Sequence, residues 1–171
     1  MPGCRTHDFI TAVTAAGAVG AYFYVAPSPS WENALYFTGS YLFAGYACAG
    51  DLDLNSREYH RWGPLKCIWW PYRVCVPHRS WVSHGLIMGG VLRIVYLLAV
   101  FTLIAACGFW TYGRFHGIEK ARVVAIQQWA SLDGFVLAHP VPIALSLSGF
   151  ILAGTVHSLS DLISTWFKRR F

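Results

Sequence analysis

Ile94-Val-Tyr-Leu-Leu-Ala-Val-Phe-Thr-Leu-Ile-Ala-Ala-Cys-Gly-Phe-Trp110 contains no charged side chain. A helix needs about 20 mostly apolar residues to cross a bilayer, and extending this run back to Val82 supplies them. Three other stretches are mostly apolar: 9–26, 31–50 and 141–167. The first ends at Pro27-Ser-Pro-Ser30, where proline denies the helix a donor and clashes with the preceding turn. Only 12% of the 171 residues are charged, about half the level usual in soluble domains. The expectation is an all-α fold over 1–171: one integral membrane bundle of about four transmembrane helices (9–26, 31–50, 82–110, 141–167), with one or two interfacial helices.

The interfacial elements come from what lies between the spans. Residues 51–81 mix five basic side chains with Trp62, Trp69, Trp70 and Tyr72, a composition suited to the lipid–water boundary. Residues 118–137 carry Val123, Val124, Ile126 and Trp129 among polar neighbours and read as a second surface helix, or a re-entrant one. Net charge is +5, but the basic residues bracket apolar segments instead of forming the face that nucleic acid requires. In a four-crossing topology nine Lys and Arg fall on the side of the chain ends, against Arg114, Lys120 and Arg122 on the other. Positive residues favour the cytoplasm, so both termini are predicted cytoplasmic, in a bacterial inner or plasma membrane. The five cysteines form no Cys-x-x-Cys pair, which argues against a zinc ribbon or disulfide framework. Gly85, Gly89 and Gly90 permit close helix packing, within one chain or between copies.

On that map the acidic and imidazole side chains gather at one level. His7 and Asp8 precede the first span, and Asp8 suits a helix N-cap. Asp51 and Asp53 follow the second, His78 and His84 stand at the start of the third, and His157 and Asp161 lie late in the fourth. His157 and Asp161 are four apart and share a helix face. Imidazole with carboxylate suits Zn²⁺, or Mn²⁺ and Fe²⁺ where carboxylates dominate, as one ion or two. His60, His116 and His139 read as ordinary interfacial residues. A haem between His84 and His157 would leave the aspartates without a role. Arg93, deep in the third span, is expected either to snorkel to the interface or to face inward onto a polar partner.

Arg5-Thr-His-Asp8, Gly50-Asp-Leu-Asp-Leu-Asn-Ser-Arg57, Pro77-His-Arg-Ser80 with Ser83-His-Gly85, and His157-x-x-x-Asp161 resemble motifs of the uncharacterised metal-binding membrane proteins common in cyanobacteria. That family is distantly similar to bacterial inner-membrane metal-dependent hydrolases of the zinc-dependent phospholipase C-like group. The resemblance implies that His7, Asp51, Asp53, His78, His84, His157 and Asp161 bind metal. It also implies hydrolysis; given that, side-chain chemistry makes Asp53 or Asp161 the candidate general base and Arg79 the candidate for holding an anionic group, on a small-molecule or lipid phosphoester at the membrane interface. The other reading is a metal-stabilised structural protein without catalysis.

Overall fold

The computed structural model describes residues 3–78 and 80–170, and among these it contains helices and turns but no strand. Helix α1 spans Cys4–Val25, α2 Trp31–Ala47, α3 Arg57–Arg61, α4 Trp70–Cys75, α5 Trp81–His84, α6 Met88–His116, α7 Ile118–Ala138 and α8 Pro140–Arg170, with 3₁₀ turns at Gly50–Asp53 and Gly63–Trp69. Local chemistry sets several of these limits. The Ser30, Ser56 and Ser80 hydroxyls accept hydrogen bonds from Asn33, Tyr59 and Ser83 backbone N–H groups, satisfying donors that a helix start leaves free. Gly117 joins α6 to α7 at φ 92°, a conformation in which a Cβ would be strained. Pro140 opens α8, where its missing N–H costs nothing.

Among the described residues three helices are long and apolar enough to cross a membrane: Cys4–Val25, Met88–His116 and Pro140–Arg170. This corrects the expectation of about four. The second segment, expected over 31–50, ends at Ala47 after 17 residues, or about 25 Å of rise against a hydrocarbon core of about 30 Å. The third, expected as one helix over 82–110, is broken at Gly85–Ile87 and then runs on to His116. The first starts at Cys4 with Gly3 as its cap, so His7 and Asp8 sit inside the helix and Asp8 does not cap it. Residues 118–137 are indeed helical, as α7.

Helix α2 lies along α8 with α1 against both, and α6 crosses α8 on another side. The buried core runs through Tyr41, Ala44, Cys48 and Leu52 to Trp69, Tyr72, Phe150 and Ala153. Phe101, Leu103 and Ile104 on α6 and Trp129 on α7 point outward. At Gly149 a Cβ would overlap the Phe37 carbonyl oxygen, so α2 and α8 meet backbone to backbone there. Gly90 faces the Ile151 Cα at 3.1 Å from a would-be Cβ, which gives this glycine a packing role inside one chain. Gly149→Ala is expected to destabilise the bundle by about 1–3 kcal/mol, measurable as a lower unfolding midpoint in detergent; an unchanged midpoint would mean the two helices can separate freely.

Candidate metal centre

The layer anticipated from the sequence forms at one end of the bundle, from four separate stretches of chain. Helix α1 brings His7, the Gly50–Asp53 turn brings Asp51, short α5 ends on His84, and α8 brings His157 and Asp161. Asp51, His84, His157 and Asp161 each offer one ligand atom within 4.8 Å of the others. His84 Nε2 stands 3.6 Å from Asp51 Oδ1 and 3.9 Å from Asp161 Oδ2. His157 Nε2 stands 3.9 Å and 3.6 Å from the same two oxygens. His7 completes the nest, its Nε2 3.2 Å from Asp161 Oδ1 and its ring stacked on His157 at 4.1 Å. Gly50 has no room for a side chain, because a Cβ there would stand 2.7 Å from His157 Cδ2.

The hydrogen bonds around the nest fix which ring nitrogens face inward. The Ser160 hydroxyl donates to the His157 carbonyl and lies 3.1 Å from His7 Nδ1. The Ser83 hydroxyl donates to the Pro77 carbonyl and lies 3.0 Å from His84 Nδ1. A hydroxyl has one proton. Having given it to a carbonyl, each serine accepts from the ring, which places the imidazole proton on Nδ1 and leaves Nε2 a bare lone pair. The sequence reading anticipated this orienting role for Ser83 but not for Ser160, although Ser160 stands three residues after His157 on the same helix. Within the nest, His7, His84 and His157 Nε2, Asp51 Oδ1 and both Asp161 oxygens are buried without a hydrogen-bond partner among the described residues. Two of those nitrogens are acceptors by the argument above and the three oxygens are carboxylate. Acceptors facing acceptors at this density are satisfied by a cation, so the residues present fit a divalent metal ion.

Burial alone would raise the Asp51 carboxyl, but with no ion between them a proton on the adjoining His157 and His84 rings outweighs it, by hydrogen bond and by charge, and holds Asp51 below the ordinary carboxylate range; a cation would take the place of those protons. Burial pushes the nearby Cys48 thiol up to about 12, which keeps it protonated and removes it as a thiolate ligand.

Asp53, His78 and His84 form a second group of ligand atoms within 4.8 Å. His84 belongs to both groups, and with Nδ1 on Ser83 its Nε2 is committed to the first. Asp53 and His78 are then left as a pair: His78 Nδ1 lies 3.0 and 3.1 Å from the two Asp53 carboxylate oxygens. The Asp53 side chain is wholly buried, whereas His78 is 29% exposed, so the pair stands at the accessible edge of the nest. Asp8 points elsewhere, 2.6 Å from Arg61 Nη2. Arg79 lies outside the described residues. His60, His116 and His139 are exposed and outside both groups of ligand atoms, the last two turned onto carbonyls of their own helices.

A helical bundle whose one end gathers a cluster of inward-facing imidazole and carboxylate ligand atoms defines a metal-binding protein. The chain belongs to the family described as "Uncharacterized metal-binding protein (DUF2227)", whose model matches residues 2–171. An "Uncharacterized protein" from Aquifex aeolicus (strain VF5) is 27% identical over 130 residues, covering 75% of this chain and 89% of the relative. No solved structure matches the chain.

Proposed function

We propose that this chain is a membrane-embedded, metal-dependent hydrolase acting on a phosphoester or lipid head group at the cytoplasmic interface. The observation that carries the reading is the acceptor-only nest beside an accessible, carboxylate-held histidine. In this reading His7, Asp51, His84, His157 and Asp161 hold the ion, most naturally Zn²⁺ given three imidazoles, with Mn²⁺ or Fe²⁺ as alternatives. A bound divalent ion supplies Lewis acidity, activating water near neutral pH and polarising a phosphoryl oxygen. The buried Asp53 carboxylate accepts the His78 Nδ1 proton, which turns the His78 Nε2 lone pair toward the open side as base for the attacking water. Arg79, next to His78 in sequence, suits the anionic phosphoryl group through its planar fork. Support for the interface comes from the three apolar helices. Support for the cytoplasmic side comes from the excess of basic residues at the end where His7 and Asp161 bring the two termini together.

A second reading, a non-catalytic ion clamp, is favoured by the number of donors: five side chains from four stretches of chain would fill a tetrahedral ion completely. Hydrolysis separates the two. Detergent-purified protein with added Zn²⁺ or Mn²⁺ is expected to cleave a chromogenic phosphodiester or a phospholipid head group. Asp53→Asn, with metal still bound, is expected to lower the rate about 100-fold or more. Metal-loaded protein that cleaves neither substrate class, or whose rate is indifferent to Asp53→Asn and His84→Ala together, leaves the clamp as the function.

A further inference from the structure

Arg93 is the largest charged side chain buried in the bundle, 1% exposed, and no carboxylate forms an ion pair with it among the described residues. It sits in the second turn of α6, one of the apolar helices, where an arginine is costly to bury. Its hydrogen bonds are to two carbonyls, and the Tyr72 hydroxyl and the Asp53 carboxylate lie near its charge. One Nη donates to the Cys48 carbonyl and the other to the Ser83 carbonyl at 3.2 Å, while Nε has no partner among the described residues. Cys48 caps α2 three residues before Asp51, and Ser83 is the residue before His84. The same Ser83 holds the His84 ring through its hydroxyl. Room for the guanidinium comes from small neighbours: a Cβ on Gly89 would stand 2.9 Å from Nη2 and overlap the Ser83 oxygen, and one on Gly154 would stand 3.7 Å from both Nη atoms.

We infer that Arg93 is a positioning residue for the metal centre, bracing the Asp51 turn against the His84 turn so that their ligand atoms converge. This rests on the metal reading above. A guanidinium does this because its rigid fork reaches two acceptors in different directions; the lysine ammonium is a compact point charge on a flexible stem. The Asp53–His78 pair also joins these two stretches, at their accessible edge, but on the inner side the ligand atoms themselves, Asp51 Oδ1 and His84 Nε2, 3.6 Å apart, are acceptors and do not bond each other.

The test is Arg93→Lys, which keeps the charge and loses the fork. Wild type and variant are purified in detergent, checked for helicity and monodispersity, and titrated with Zn²⁺ against a chromophoric chelator and with Co²⁺ by its visible spectrum. The expected result is unchanged stoichiometry, affinity lower by about 10–100-fold, and an altered Co²⁺ spectrum. A folded Arg93→Lys that matches wild type in affinity and spectrum overturns the inference and leaves the metal reading standing; wild type that binds no Zn²⁺ or Co²⁺ removes both. Gly89→Ala keeps the arginine but puts a methyl between its Nη2 and the Ser83 carbonyl, and decides the matter if the lysine variant does not fold. It too is expected to lose about tenfold or more in affinity, and unchanged affinity in it overturns the inference.

Discussion

His84→Ala is expected to abolish stoichiometric metal binding, weakening affinity by at least about 100-fold. Of the imidazoles, His84 is the one that belongs to both groups of ligand atoms. Its Nε2 faces Asp51 and Asp161 together, and its Nδ1 is fixed by Ser83. Alanine removes a lone pair from the nest and leaves an ion between Asp51 and Asp161 one neutral donor short. His116→Ala and His139→Ala are the controls, because those rings are exposed and bonded to their own helices; neither is expected to change metal content. Metal analysis after dialysis against metal-free, non-chelating buffer reads the result. Retention of a full complement by His84→Ala would place the ion elsewhere.

Chelation is expected to have the second large effect, on stability. Ligand atoms from α1, the Gly50–Asp53 turn, α5 and α8 meet in the nest, and an ion binding the folded state alone adds about 4 kcal/mol when present at 1,000 times its dissociation constant. Chelator-treated protein is therefore expected to unfold roughly 10 °C lower, with recovery when Zn²⁺ is restored. Acid should mimic the chelator. Imidazoles ordinarily gain protons near pH 6.5 and must lose them to bind metal. Asp51, held below the ordinary carboxylate range, stays ionised through that window, and its own stabilising contribution is lost only at lower pH, as the carboxylate is protonated. Loss of metal on acidification thus reports the histidines. Superimposable unfolding curves with and without chelator would show that the ion does not tie the four stretches together.

The parts of this account that sequence made legible are those with short-range signals. The uncharged run from Ile94 to Trp110 and the four-residue spacing of His157 and Asp161 each announce a helix, and with it the face they share. Convergence of the other ligands followed from helix ends lying at one level. What escaped depended on distance across the chain. The length of α2 is set by where Cys48 leaves the helix to meet the Arg93 guanidinium, which no local pattern encodes. The break at Gly85–Ile87 lets His84 turn into the nest before α6 begins. Arg93 could be read as buried or snorkelling, but carbonyl partners leave no compositional trace. Likewise the split between the inner nest and the Asp53–His78 pair turns on which nitrogen of His84 the Ser83 hydroxyl occupies, a matter of one proton.

X-ray absorption at the metal edge of Zn²⁺-loaded protein decides whether His7, Asp51, His84, His157 and Asp161 surround one divalent ion. The expected spectrum has nitrogen and oxygen neighbours at about 2.0–2.2 Å, with the outer scattering of about three imidazole rings and no sulfur. A sulfur shell near 2.3 Å, or a spectrum of fully hydrated ion with no imidazole scattering, would contradict it.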